Sequence, residues 1–312
     1  MTVGVVVNPV AGGGRMRKVW PEVSDALREY FPSLEIRETR ASGDAARLAC
    51  GFARDGASLV IAAGGDGTVS EAVDGLLRAQ GDGRATAVLG ILPIGTGSDL
   101  ARGLGLTGNP KSMVARIAEA KPRRIDAGRV DFTDDRGALA SRHFINIASL
   151  GLSGPTARAV NRVKSSGRMS GQAVFLWHTV VEMVKYRFQD VRITVDGGMP
   201  LEASVALVAC ANSRFFGGGM MIAPDARPDD GELEVVIVRG RSKLSLLKDL
   251  RLVYSGAHRN LPSCTFLKGR SVTVEPMGDD EVNAALLDID GESPGRIPAT
   301  FTVLPGAIEV RC

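Results

Sequence analysis

The sequence predicts a two-domain protein: an N-terminal α/β domain on a doubly wound parallel sheet, followed by an antiparallel β domain. Three observations predict it. Apolar runs of strand length alternate with helix-spaced apolar residues through the first part of the chain, the signature of repeated strand–helix units with right-handed crossovers. Glycine-rich turns follow three of those runs. Past Lys121–Pro122 the texture changes to short strand-like stretches separated by Gly, Pro and Asp turns, the pattern of antiparallel sheets.

In chain order, "VGVVVNP" is a continuous apolar run, as a strand buried on both faces requires. Val19, Val23, Ala26, Leu27 and Tyr30 then recur at the spacing of one helix face. "SLEIRETR" alternates like a strand, and "GDAARLACGFARDG" reads as a short helix closed by glycine. "ASLVIAAGG" is the next buried strand, followed by a helix lined by Val69, Ala72, Val73, Leu76 and Leu77. "TAVLGILPIGTGSD" supplies a further strand and glycine turn, and "PKSMVARIAEA" a helix starting near Pro110.

The second half offers "RRIDAGRVDF", "SRHFINIASLG", "VRITVDGG", "LEASVALVACAN", "GELEVVIVRG", "RSVTVEPM", "AALLDIDGE" and "ATFTVLPGAIEVRC" as strands. Helices are expected around residues 155–186 and over "KLSLLKDLRLVYSGA". The domains are therefore placed at 1–126 and 127–312, with the last strand of the chain able to return to the first domain.

Composition narrows the function classes. With 312 residues, 44% hydrophobic and 23% charged, the chain is an ordinary globular protein of two-domain size. A net charge of +3 and 5% aromatic residues speak against nucleic-acid binding. Cys50, Cys210, Cys264 and Cys312 are scattered, which points to reduced thiols in the cytosol rather than a zinc site. His143, His178 and His258 show no metal spacing. No export signal is visible and no apolar run is long enough to span a bilayer, so any membrane contact is expected to be peripheral.

In a parallel sheet, ligands bind beyond the carboxyl ends of the strands, where "NPVAGGGR", "GGDGTVS" and "PIGTGSD" fall. Glycine lets backbone approach a phosphate, and each turn feeds a helix whose first amides favour anions. Thr68, Ser70 and Thr96 add hydroxyls, and Arg15 and Lys18 positive charge near the first turn. Asp66 and Asp99 sit among these anion-seeking groups; a magnesium ion bridging carboxylates and phosphates accounts for them, and helix capping by Asp66 is the plainer alternative. The chain has neither GxxxxGK[ST] nor GxGxxG after its first strand, which disfavours a Walker ATPase and a standard Rossmann dehydrogenase.

"GGDGT" at 64–68 resembles the nucleotide-binding motif of the diacylglycerol kinase catalytic family, which includes sphingosine and ceramide kinases. "NPVAGGGR" is similar to that family's first phosphate loop, and "PIGTGSDLARGLGL" to its "GTxND" segment, with Ser98 where asparagine is usual. "ANSRFFGGGMMIAPDARPDDGELEVVIV" and "DIDGE" resemble the corresponding signatures of the bacterial lipid kinases. The landmarks run in family order from residue 8 to 292.

The resemblance implies an ATP cleft between the α/β domain and a C-terminal β-sandwich. It implies nucleotide contacts from Asn8, Gly12, Gly13, Thr39, Gly64, Gly65, Asp66, Gly67, Thr68, Ser70, Thr96 and Asp99, with Asp66 and Asp99 serving Mg2+ and the phosphates. Glu292, with Asp290 beside it, is implied as the general base toward the acceptor hydroxyl. A second, structural magnesium is implied at Asp230, with backbone oxygens near Arg227 and Glu232. Outside the family frame, "DGE" reads as an exposed hairpin turn and "PDARPDDGE" as a turn with solvated acids.

The implied partner is a lipid at a membrane surface: diacylglycerol, ceramide, a sphingoid base or a related alcohol. Arg158, Arg162, Lys164 and Arg168 form the basic segment expected to meet anionic headgroups. The apolar stretch after them is expected to pack on the β domain. Family members also dimerise, and no sequence feature requires that here. Two rival functions are an NAD kinase acting on a soluble acceptor, since it shares GGDGT, and a nucleotide- or lipid-binding protein without activity.

Overall fold

The computed structural model describes residues 2–81, 83, 87–95, 98–163, 171–278 and 285–312. The chain divides into two compact units, residues 1–126 with 306–312 and residues 127–305.

In the first unit β1 (Val3–Val7), β2 (Leu34–Glu38), β3 (Leu59–Gly64) and β4 (Val88–Pro93) form a parallel sheet in the order β2-β1-β3-β4. β1 and β3 are buried along their whole length, which is why both read as unbroken apolar runs. The crossovers are α1 (Arg15–Tyr30), α2 (Asp44–Arg54) and α3 (Asp66–Gly81); α1 buries one stripe with Met16, Val23, Ala26 and Leu27, whereas α3 is buried around most of its circumference. After β4 come α4 (Asp99–Gly103) and α5 (Pro110–Glu119). Asn109 caps α5, its side chain accepting the Ser112 amide at 2.8 Å, with Pro110 at the first helical position. The strand order reverses between β1 and β3, and in such sheets the crevice beyond the strand ends at that point is the ligand site.

The second unit begins within β5 (Arg123–Asp134), followed by β6 (Leu139–Phe144) and β7 (Ile147–Gly151). The helix expected over residues 155–186 is two described helices, α6 (Ser153–Val163) and α7 (Gly171–Lys185). Then come β8 (Gln189–Val195), β9 (Leu201–Ala211), the small hairpin β10 (Phe215–Phe216) and β11 (Met220–Met221), and β12 (Leu233–Arg239). α8 (Lys243–Ser255), β13 (Cys264–Gly269), β14 (Ser271–Pro276), β15 (Leu287–Ile289) and β16 (Gly295–Arg311) complete it.

The pairing in this unit is antiparallel. β9 pairs β12 on one side; on the other it pairs β8 with its first half and β7 with its second. β14 joins β8 to β16, β15 pairs β7, and β5 pairs β6. The inward residues, among them Phe144, Leu150, Val208, Val235, Val274, Leu287 and Phe301, form one buried cluster. A second cluster, with Ala209, Ala211, Ile222, Ala223 and Val236, lies on the other face of β9 and β12, so those strands are buried on both faces.

Candidate active site

The three glycine turns of the first unit are knitted together by named bonds. The Asn8 amide donates to the Ala63 carbonyl at 3.0 Å, and its side-chain Nδ2 to Thr68 Oγ1 at 3.2 Å. The Ile94 amide donates to the Gly64 carbonyl at 2.8 Å. The turns touch so closely that side chains are excluded: a Cβ on Gly64 would fall inside the Thr68 side chain, and one on Gly95 would lie 3.0 Å from the Gly65 Cα. Gly12, Gly13 and Gly14 all have positive φ (63°, 65° and 89°), which only glycine adopts freely in succession. They open α1 without a side-chain cap and without an acidic residue in its first turn, so the helix's own first turn adds no negative charge to the positive end of its dipole.

Asp66, at the start of α3, also caps the helix that follows β4. Its carboxylate accepts the amides of Asp99 at 3.0 Å and Leu100 at 3.4 Å, so it anchors the start of α4 across the turns. Asp99 is 5% exposed and pairs with Arg102 at 2.9 Å. Two acidic groups are thus held beside the glycine turns by backbone amides and one guanidinium. Carboxylates are the ligand type that magnesium takes beside phosphate oxygens, one or two at a time, and Asp66 and Asp99 are the residues that would hold such an ion here. Ser98 adopts φ 50° at the start of α4, a left-handed conformation in which asparagine is several-fold enriched over other side chains; the family's usual asparagine at this position therefore has a backbone reason.

The other expected nucleotide residues are distributed as follows. Gly67 is exposed in the first turn of α3, while Thr68 and Ser70 are buried. Thr39 follows β2, its amide bonded to the Val7 carbonyl at 2.9 Å. The nearby start of α2 is filled by protein, because Glu71 accepts the Gly43 amide at 2.9 Å and the Ala45 amide at 3.1 Å. Thr96 lies outside the described residues.

In the second unit "DIDGE" forms a two-residue hairpin loop. Asp290 and Gly291 have φ 49° and 89°, and Ile289 and Glu292 exchange both backbone hydrogen bonds at 2.7 and 3.0 Å, as in a type I′ turn. What distinguishes it from an ordinary turn is its anchorage. The Asp290 carboxylate accepts three amides, Ile145 (2.9 Å), Asn146 (3.1 Å) and Ile147 (2.9 Å). Asp288 accepts the Gly291 amide at 2.8 Å. The Asp290 carboxylate thus fixes the turn, and Glu292 beside it is half-buried.

Sequence reasoning missed Asn161 on α6, whose Nδ2 donates to the Gly291 carbonyl at 2.9 Å and to Glu292 Oε2 at 3.2 Å. The only signal was an asparagine inside a helix, where it is disfavoured without a partner. Arg158, one turn earlier, bonds Ser293 at 3.0 Å and pairs with Asp135 at 2.5 Å. It braces the same turn, and of the two described members of the basic segment Arg162 is the exposed one. Lys164 and Arg168 lie outside the described residues.

α6 also reaches a cavity within the second unit. This cavity of about 100 Å3 is bounded by Leu152, Ser153 and Thr156 of this region, Phe175, Thr179 and Met183 of α7, Leu246, Leu250 and Val253 of α8, and Leu207, Ile222 and Val238 of the sheet side. Its lining is overwhelmingly apolar. From Thr156 at the cavity to Asn161 at Glu292 is five residues of helix, a rise of about 7.5 Å.

The residues expected to hold a structural magnesium carry a protein cation instead. Asp230 Oδ2 accepts Lys268 Nζ at 2.7 Å, and Glu232 Oε2 lies 3.6 Å from the same nitrogen. Asp230 Oδ1 accepts the Glu232 amide at 3.2 Å, and Arg227 is exposed. Among the described residues no group of three or more His, Cys, Asp and Glu side chains is placed to hold a metal. This set does not fit a magnesium ion.

The profile of the diacylglycerol kinase catalytic domain matches residues 2–130, and that of the YegS C-terminal NAD kinase beta sandwich-like domain matches residues 147–312. These matches put the chain in the class of the lipid kinases. A Chromohalobacter salexigens protein named "Probable lipid kinase YegS-like" is 35% identical over 92% of this chain and 88% of its own length. A diacylglycerol kinase of Mycobacterium tuberculosis is 30% identical over 99% of this chain and 94% of its own. The chain belongs to the diacylglycerol kinase catalytic family. Its fold is shared with a crystal structure of a diacylglycerol kinase from Bacillus anthracis str. Sterne, at a TM-score of 0.71 and 23% identity over 99% of this chain and 96% of that one. Yeast NADH kinase shares it more distantly, at a TM-score of 0.52 and 11% identity over 99% and 82%.

Proposed function

We propose that this kinase transfers the γ-phosphoryl group of ATP to the hydroxyl of a membrane lipid whose acyl chain enters the cavity of the second unit. The observation that carries the reading is α6, which lines that apolar cavity with Ser153 and Thr156 and holds the Asp-Gly-Glu turn with Arg158 and Asn161. One short rigid element thus serves both an acyl-chain pocket and a carboxylate suited to a lipid's polar end. The glycine turns of the first unit bind the nucleotide phosphates through backbone amides and the start of α1. Asp66 and Asp99 hold magnesium, which supplies charge neutralisation to the phosphates. Glu292, oriented by Asn161, accepts the proton of the attacking hydroxyl.

The lipid is drawn from a bilayer met by α7 and α8. Trp177 (62% exposed), Val184 (66%) and Leu244 (64%) present apolar surface, and α8 has no buried residue although seven of its thirteen residues are Leu, Val or Tyr. Lys248 and Arg251 lie exposed on the same helix, which suits an anionic interface. No described helix is long and apolar enough to cross a membrane, which accords with a peripheral encounter.

The test is transfer of labelled γ-phosphate, with magnesium, to diacylglycerol, ceramide, sphingosine and phosphatidylglycerol in mixed micelles, with NAD as a soluble acceptor in parallel. The expected result is a labelled lipid that disappears in Glu292→Gln while nucleotide binding persists. Leu246→Trp, which fills the cavity from α8, is expected to depress transfer to long-chain lipid far more than to a short-chain analogue. Label in NADP overturns the acceptor reading, and no transfer to any acceptor overturns the enzymatic one.

A further inference from the structure

We infer that the segment from Ile222 to Leu233 is locked in this chain by the Lys268 ammonium, standing where the family resemblance implies a structural magnesium. The inference is independent of the acceptor and of the kinase mechanism.

The placement of Lys268 is dictated by the sheet. β12 and β13 pair antiparallel with Glu234 opposite Lys268, and directly opposed residues project from the same face. Lys268 therefore rises on the face that carries the 222–233 segment, and its stem delivers the nitrogen to Asp230 at 2.7 Å and Glu232 at 3.6 Å. Both Asp230 oxygens are then engaged, one by the ammonium and the other by the Glu232 amide. A magnesium ion needs carboxylate and carbonyl oxygens in a near-octahedral shell and gives up its own water reluctantly. Here it would also meet the Lys268 ammonium on the same carboxylate, and like charges repel. Asp230 and Glu232 in turn hold the Lys268 ammonium charged, pushing its pKa up.

The rest of the segment is tied by protein charges as well. Buried Glu234 accepts the Asp225 amide at 2.9 Å, Arg259 pairs with Asp225, and Arg214 Nε donates to the Ala226 carbonyl at 3.4 Å. The consequence reaches the cavity, because Ile222 at the head of the segment lines it and its carbonyl bonds buried His258 at 2.9 Å. The cavity wall is thereby fixed without a divalent ion.

Thermal unfolding of the nucleotide-free protein tests this, first in chelator and then in excess magnesium. The wild-type Tm is expected to be the same in both. Lys268→Met is expected to unfold several degrees lower in chelator and to regain part of that loss in magnesium, as the freed carboxylates take the metal; Lys268→Arg keeps the wild-type behaviour. A wild-type Tm that rises by several degrees in magnesium, and ceases to in Asp230→Asn, overturns the inference. So does a Lys268→Met protein with no loss, or with a loss that magnesium leaves untouched. If Lys268→Met does not fold, the wild-type and Asp230→Asn comparison decides alone.

Discussion

The Asp66 carboxylate of the β3–α3 turn caps α4, accepting the Asp99 amide at 3.0 Å and the Leu100 amide at 3.4 Å across thirty-three residues of chain. One acidic side chain therefore sets the position of a second, Asp99. Asp66→Ala is expected to cost about 1–2 kcal/mol in urea unfolding, the usual worth of a cap. Asp66→Asn keeps an accepting oxygen and is expected to lose less than about 1 kcal/mol, yet to lower phosphoryl transfer on the order of 100-fold through loss of charge. A Asp66→Asn protein with near-native activity would mean the residue is a cap alone.

Ser98 holds φ 50° at the start of α4. Asparagine accepts that conformation more readily than serine, so Ser98→Asn is expected to raise stability by about 0.5–1 kcal/mol. The check is chemical denaturation with an unchanged m-value.

Asp290 and Glu292 are separated by one glycine, and their variants should behave oppositely. Asp290 satisfies three amides between Ile145 and Ile147; Asp290→Ala is expected to destabilise the fold by about 2–4 kcal/mol as those donors lose their partner. Glu292→Gln is expected to leave stability within about 0.5 kcal/mol while lowering kcat on the order of 100-fold or more. Paired measurement of unfolding and turnover separates the positioning residue from the base.

Glu234 is 3% exposed, and burial raises its pKa from 4.5 to about 7. A carboxyl group raised on folding contributes its full stabilising share below pH 4.5, and that share is lost as pH climbs through about 7. Glu234→Gln removes the titration and keeps an acceptor for the Asp225 amide. It is expected to be more stable than the wild type at pH 8, by about 1–3 kcal/mol, with the advantage shrinking toward pH 5. Buried His258, whose pKa burial lowers, works on the acid side in both proteins and cancels in the comparison. An equal difference at both pH values would remove Glu234 as the titrating group.

The parts legible in the sequence were those governed by local pattern. β1 and β3 are buried along their whole length, so their apolar runs could hardly be read otherwise. Gly64 announced a turn with no room for a side chain, and Gly12 and Gly13 a turn at positive φ. α4 was invisible: five residues with no apolar stripe hold as a helix because Asp66, far away in sequence, supplies the cap. Arg158 looked like free basic charge because its partners Asp135 and Ser293 lie 23 and 135 residues away. The Asp230 site reads as a metal site in one dimension; only the register of β12 against β13 brings Lys268 onto it. Contacts made across the sheet leave no trace in spacing.

The last strand carries a consequence for how the chain is made. β16 leaves the second unit at Pro305, Gly306 is fastened to Asp126 by a 2.7 Å bond, and Val310 and Arg311 then run beside Leu89 and Gly90 of β4. As the protein emerges from the ribosome, β4 lacks this neighbour until Val310 and Arg311 arrive. An unpaired parallel edge is a template for wrong partners, so the nascent first domain depends on a closing stitch translated some two hundred residues after the strand it protects.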